Sequence, residues 1–334
     1  MKEHARRRSQ ERMAKVKFGR ISAAVTLCVV CLFGCLLAGC QSSQPESSDE
    51  SFAEEVVEPK FENPFYVLLV GNDGRTGTVE IDKAMYSDGS ARSDVMMLMR
   101  IDPIDYKVTL ISIPRDTAAT VNGSLAKINT SYQHGGIDEL LDQVKQLTGV
   151  QADYYFDLGF VTFEQFIDAL GGVTVNVPVD MSLQDIVSGD DISLAAGEQE
   201  LDGAEALVLS RSRKLYDGYQ DAVRQMQNRA IVVAGINQVV QNPDSAEAAV
   251  AALMGAAETN MTEEELSSLV NSFVENADSL TIYQASGPYV GDIDPTDNMW
   301  YTTRDEGTWA QVIAAADAGE DPSGIVANPE LALL

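Results

Sequence analysis

Beyond residue 40 the chain has no cysteine. All four (Cys28, Cys31, Cys35 and Cys40) fall in or at the end of one early apolar stretch. The remainder therefore has no disulfide framework and no thiolate metal site. Histidine is scarce as well: His4 and His134 are the only two, and no His/Cys cluster supports a zinc centre. The glycines fit neither a P-loop nor a dinucleotide fingerprint. Positive charge is also in short supply. The chain carries a formal -28, and its first twenty residues hold eight Lys or Arg against only Glu3 and Glu11. The rest is thus more acidic than the whole, and a nucleic-acid partner is excluded for it.

What the chain does have begins with an address. Residues 1–20 are basic, and Ile21 to Gly39 are mostly apolar and uncharged. Nineteen helical residues reach roughly 28 Å, enough to span a hydrocarbon core. The basic block marks the cytoplasmic side, so the rest is expected outside the membrane. Residues 37–40 read Leu-Ala-Gly-Cys, which resembles a bacterial lipobox with Cys40 as the lipidated residue. A signal anchor over 21–40 and a lipoprotein signal both fit. Residues 41–63 are polar and acidic and read as a disordered tether. The expected folded domain covers 64–325, followed by a tail at 326–334.

That domain reads as α/β. Phe65–Val70, Val95–Ile101 and Val108–Ile113 are apolar runs of strand length. Asp102-Pro103 between the last two predicts a hairpin. Helices are expected over about Asp138–Leu147, from Thr162 to Gly171, and over Asp221–Val240, Ser245–Ala257, Thr262 onward and Thr308–Ala316. Further strands are expected at Tyr154–Phe160, Val173–Val177, Ala206–Leu209 and Leu280–Gln284. The alternation predicts a three-layer α-β-α sandwich around a central mixed β-sheet. Trp300 and Trp309 suggest a packed extension.

The arginines left in this acidic chain are not scattered. Arg75 and Arg92 flank Asp73 and Asp94, Arg115 lies in Ser112-Ile-Pro-Arg-Asp116, and Arg211, Arg213, Arg224 and Arg229 fall close together. Gly71–Arg75, Ala91–Asp94, Pro114–Asp116 and Ser210–Arg213 all abut expected strands, where open α/β sheets bind ligands. Guanidinium suits bidentate capture of phosphate. Hard cations want carboxylate oxygens, which makes Asp73 and Asp94 candidates for a magnesium (or manganese) ion shared with a phosphate. The bland alternative, surface ion pairs worth about 0–1 kcal/mol each, competes at every motif.

The ordered set of motifs resembles the LytR-CpsA-Psr family of bacterial envelope proteins. It comprises Val67–Arg75, Arg92–Met97, Ile111–Asp116, Lys127-Ile-Asn129, Gly171–Pro178, Leu209–Arg213 and Asp221-Ala-Val-Arg224. The resemblance implies an α-β-α fold on the outer face of the membrane of a Gram-positive-type bacterium. It also implies a magnesium-dependent phosphotransferase that moves a glycopolymer, such as teichoic acid or capsule, from a polyprenyl pyrophosphate carrier to peptidoglycan. By the same resemblance Asp73 and Asp94 carry the metal, and Arg75, Arg92, Arg115, Lys127, Arg211, Arg213 and Arg224 hold the pyrophosphate. Asp221 orients Arg224, and Asp94, Arg92, Arg115 and Arg224 are the catalytic set. Asp94 and Asp116 are candidate general bases. One departure stands out: where the family continues after Asp-x-x-Arg with two residues and Arg-Gln, this chain has Gln227-Asn228. Asn228 keeps an amide with shorter reach, and Gln227 loses a charge. A carrier-lipid-binding scaffold and a polyprenyl pyrophosphate hydrolase are the alternative readings.

Overall fold

The computed structural model describes residues 61–328, apart from 75–76, 79–90, 217–219 and 244–245. The basic leader, the apolar segment, Cys40, the tether and Arg75 lie outside the described residues. Among the described residues no helix is long and apolar enough to cross a membrane.

The first half runs β1 (Phe65–Asn72), β2 (Ser93–Asp102), β3 (Lys107–Ser112), β4 (Ala118–Val121), β5 (Ser124–Lys127), α1 (Asn129–Thr148), β6 (Tyr154–Leu158), α2 (Phe160–Ala169) and β7 (Val173–Val177). Then come β8 (Met181–Gln184), β9 (Asp191–Leu194), β10 (Gly197–Leu201), α3 (Gly203–Arg211), α4 (Gln220–Gln241), α5 (Ala246–Ala256) and β11 (Glu258–Thr259). The chain continues with α6 (Glu263–Glu275), β12 (Thr281–Ser286), β13 (Gly291–Ile293), β14 (Trp300–Thr302) and α7 (Glu306–Asp317). Val326 packs on the core, and Ala327 and Asn328 accept hydrogen bonds from Tyr289 and Arg229, so the packed domain continues through residue 328.

The central sheet has six strands in the order β11-β6-β1-β2-β3-β12. β2 is antiparallel to both β1 and β3, whereas β6 runs parallel to β1 and β12 parallel to β3. The expected mixed sheet and the β2–β3 hairpin are both present. Strand period two splits the side chains between two layers. Leu68, Val70 and Ile111 face α1 and α7, while Phe65, Val67, Val108 and Leu110 join α4, α5 and α6. Both faces are covered, which is why these strands read as unbroken apolar runs. This topology brings the carboxyl ends of β1, β3, β6 and β12 and the amino end of β2 to one edge of the sheet.

Several expectations need correction. Ala206–Leu209 is not a strand but the middle of α3, buried on all sides. Asp202 caps it by accepting from Glu205 N–H, and Glu205 returns a bond to Asp202 N–H (2.9 and 3.1 Å). Phe160, expected to end a strand, instead begins α2, two residues ahead of Thr162. α1 starts well before Asp138. Gly135 and Gly136 kink it rather than precede it, so His134 is helical rather than a loop residue. Its other end follows expectation: Gly149 takes φ 78° and its N–H closes on Lys145 C=O at 2.8 Å. Trp309 is buried in the core, but Trp300 is 43% exposed.

Glu164 on α2 sits against Asp185, which precedes β9. Burial first, then a shared hydrogen bond and the charges of Asp185, Asp168 and Asp202, push its carboxyl up to about 8. Folding therefore retains a proton that the unfolded chain releases near 4.5. Stability attributable to this group falls as pH rises from that value to about 8, then levels off. Glu164→Gln is expected to raise Tm over wild type most at and above pH 8, with the advantage shrinking toward pH 4.5. Thermal melts across that range check it.

Candidate anion and metal site

Arg115, three residues beyond β3, is the hub of the cluster at the sheet edge. Its Nη1 donates to Asp94 Oδ1 at 2.7 Å, its Nε lies 3.3 Å from Asp221 Oδ1, and Asp116 Oδ2 is 4.0 Å away. Burial alone lowers its pKa, but Asp94, Asp221 and Asp116 together outweigh burial and raise it. Lys127, at the end of β5, bonds Asp116 Oδ1 at 2.8 Å. From the first turn of α4, Arg224 donates to Asp221 Oδ1 at 2.8 Å and to the Asp94 backbone carbonyl at 2.6 Å. Three carboxylates thus face three cations. Burial pushes the Asp221 carboxyl up, yet Arg224, Arg115 and the Gln225 amide hold it below the usual range.

The other expected residues sit on or beside β1, β2, α3 and α4. Asp73 is buried, accepts Arg92 N–H on Oδ1 at 2.6 Å, and donates its own N–H to Arg92 C=O at 3.0 Å. Asp73 and Arg92 therefore extend the β1–β2 ladder beside Asp94, and Arg92 Nε meets Gln133 on α1 at 3.5 Å. Arg211, at the end of α3, lies over the Phe160 ring at 5.1 Å from its centroid. Its segment ends a helix rather than following a strand. Arg213 lines a cleft with Asp116 and Asp221. Asn228 is buried and its Nδ2 has no partner among the described residues. Gln227 is buried too, its amide donating to the Tyr216 hydroxyl. Arg229, despite its place in the same sequence cluster, is buried against Ser112 Oγ (2.7 Å) and Asn328 Oδ1 (3.1 Å). Burial pulls its guanidinium down to about 10.

Sequence reasoning missed two supports. Gln225 donates to Asp221 Oδ2 at 2.8 Å, and Asn129 reaches Asp94 Oδ1 at 3.5 Å. Gln225 lies four residues after Asp221, one turn along the same helix face, which was the available signal.

No three-residue His, Cys, Asp or Glu metal cluster exists among the described residues. The donor set nevertheless fits a hard cation. Asp73 extends the β1–β2 ladder beside Asp94, and the hydrogen bonds to the Asp94 side chain both go to Oδ1. Magnesium commonly takes one or two carboxylates and fills its shell with phosphate oxygens and water.

The architecture is that of an α-β-α domain with an arginine–carboxylate centre at the carboxyl edge of its sheet. Residues 37–316 match the LytR_cpsA_psr family, and the chain belongs to that family. It is 34% identical over 178 residues to the polyisoprenyl-teichoic acid–peptidoglycan teichoic acid transferase TagU of Bacillus licheniformis, covering 53% of this chain and 52% of that one. To TagV of Bacillus subtilis it is 33% identical, covering 48% and 40%. The chain spans about half the length of the curated relatives it matches. The crystal structure of B. subtilis TagV superposes with TM-score 0.64 at 24% identity, over 79% of this chain and 100% of that one. A structure described as TagT bound to LI-WTA gives 0.60 at 22%, over 78% and 94%. These structural likenesses establish the common fold.

Proposed function

We propose that the chain is an extracytoplasmic phosphotransferase that moves a glycopolymer from a polyprenyl pyrophosphate carrier to peptidoglycan. The observation that carries this is Arg115, held by three carboxylates at the sheet edge of a chain belonging to the LytR_cpsA_psr family. The teichoic acid transferase names of its relatives supply the substrate class. Phosphoryl transfer needs positioning and charge stabilisation more than an activated protein nucleophile. Arg115, Arg92, Arg211, Arg213 and Arg224 would supply positive charge to the phosphates with Lys127, and Arg75 joins them on the sequence motif alone. Magnesium or manganese at Asp73 and Asp94 would neutralise phosphate charge in the same place.

A sugar hydroxyl of peptidoglycan attacks the sugar-proximal phosphorus. The new P–O bond forms as the bond to the bridging oxygen breaks, and polyprenyl phosphate leaves with the electron pair. Both candidate bases are paired, Asp94 with Arg115 and Asp116 with Lys127, but Asp116 lines the open cleft beside the cluster while Asp94 is the proposed metal ligand, which favours Asp116 as the proton acceptor. The signal at residues 21–40, with Cys40 as a lipidation site, would hold the domain at the membrane where the carrier resides.

The test is a full-length assay with a synthetic polyprenyl-pyrophosphate disaccharide, magnesium and peptidoglycan oligomers. Phosphodiester-linked product, lost on chelation and restored by magnesium, is the expected result. Carrier bound without release of polyprenyl phosphate would replace the enzyme by a scaffold. Free glycan phosphate in place of linked product would make it a hydrolase.

A further inference from the structure

A cleft of about 430 Å³ opens beside the anion centre, within the size range of small-ligand sites. Its lining combines the polar side chains of Asp116, Arg213 and Gln225 with the aromatic residues Tyr289 and Trp300. Trp300 is 43% exposed, although it belongs to the β13–β14 hairpin and not to a loose end. Val290, Ile293 and Met299 of the same region are exposed as well. Solvated apolar side chains gathered on one short hairpin need a reason, and a ligand face supplies one.

The hairpin is tied to the reacting centre. Thr302 N–H donates to Asp116 C=O at 2.9 Å, Thr117 bridges Thr302, and Thr303 N–H donates to Val290 C=O at 3.0 Å. Gly291 lets the two strands close up, since a Cβ there would lie 2.0 Å from Tyr301 C=O. The segment that carries Arg115 and Asp116 therefore also fixes the position of Trp300. Tyr289 is held by its hydroxyl on Ala327 C=O at 2.7 Å. Another cleft, of about 540 Å³ between β8 and β9, has neither a cation nor an aromatic ring in its lining.

Aromatic residues sharing one cleft with carboxylate, amide and guanidinium groups match one ligand chemistry. A pyranose has an apolar C–H face that stacks on a ring and a rim of hydroxyls that hydrogen-bond to polar side chains. We propose that this cleft is a pyranose subsite, with Trp300 as the stacking platform and Asp116 and Gln225 meeting the hydroxyl rim. The assignment rests on the transferase reading above. It places a sugar unit next to the phosphate held at Arg115, whether that unit comes from the donor glycan or the acceptor.

The test uses the two tryptophans, of which Trp309 is 1% exposed. Full-length protein in detergent is titrated, following tryptophan emission and calorimetric heat, with three probes: a phosphate-free peptidoglycan tetrasaccharide, a short-chain polyprenyl-pyrophosphate disaccharide, and inorganic pyrophosphate with magnesium. Saturable emission change with either glycan, absent in Trp300→Phe while the heat of binding persists, is expected. Trp300→Ala should weaken that glycan by about tenfold or more and leave pyrophosphate affinity near wild type. A response to the tetrasaccharide places the acceptor in the cleft, and a response to the lipid-linked probe alone places the donor sugar there. Pyrophosphate binding with glycan affinity unchanged in Trp300→Ala overturns the subsite and spares the phosphate site. Failure of wild type to bind pyrophosphate overturns the transferase reading itself.

Discussion

Arg115→Ala is expected to lower transfer by roughly 1,000-fold, since aimed donors and arginines at transferring phosphoryl groups contribute on that scale. The residue contacts Asp94, Asp116 and Asp221, so its loss removes the charge facing the phosphate and leaves three carboxylates to repel it. Both effects act in the same direction. Arg115→Lys should recover little. One ammonium offers a point charge, whereas the guanidinium spreads its contacts from Nη1 to Nε across two carboxylates. Steady-state kinetics of both variants, with melting curves to confirm folding, check this. A rate within tenfold of wild type for the alanine variant contradicts it.

Arg224→Met is expected to destabilise the domain by about 3–5 kcal/mol, the scale for breaking one partner out of a buried pair. The Arg224 side chain is 4% exposed and that of Asp221 is 22% exposed. Removing the cation leaves Asp221 with Arg115 as its one ion-pair partner among the described residues, beside the Gln225 amide, to offset its burial. It also cuts the bond from α4 to the Asp94 carbonyl, which ties helix to sheet. Asp221→Asn combined with Arg224→Met should cost less than Arg224→Met alone, because no buried charge is then left behind. The pH dependence has a definite sign. The Asp221 carboxyl is held below the usual range, so its stabilisation is full above the ordinary carboxylate range and is lost as pH falls through the folded value. Wild type and Arg224→Met should therefore converge in acid. Denaturant titrations at neutral and acid pH measure both effects.

The sheet was legible because β1, β2 and β3 are buried on both faces and read as apolar runs without periodic gaps. The same property misled at Ala206–Leu209. Four apolar residues in a row look alike in a buried strand and in a helix buried all round. The discriminating signal was Asp202 with Glu205, a capping pair that opens a helix. The Gly135-Gly136 pair hid the first turns of α1, because glycines that end most helices here only bend one. The short hairpins β4–β5 and β8–β9 alternate too little over four residues each to be seen in sequence.

The candidate site divides the same way. That Arg115 and Asp94 belong together followed from their positions at adjoining strand ends. That Asp221 also reaches Arg115 and that Arg229 turns away toward Ser112 depend on how α4 packs, which no local pattern encodes, whereas the Gln225 support was signalled by its spacing from Asp221. The meeting of Tyr289 and Trp300 in the cleft was invisible for a related reason. Its position comes from backbone bonds between Asp116 and Thr302, far apart in sequence.

The most direct test of the central claim is the chemical form of the product. Full-length protein is incubated with a lipid-pyrophosphate disaccharide labelled in the sugar-proximal phosphate, peptidoglycan oligomers and magnesium, and the label is followed by mass spectrometry. The account predicts that the label appears in a phosphodiester between the two glycans, with one polyprenyl phosphate released per link, and that Arg115→Ala abolishes both. Label left on the carrier, or transferred equally well by Arg115→Ala, would contradict it.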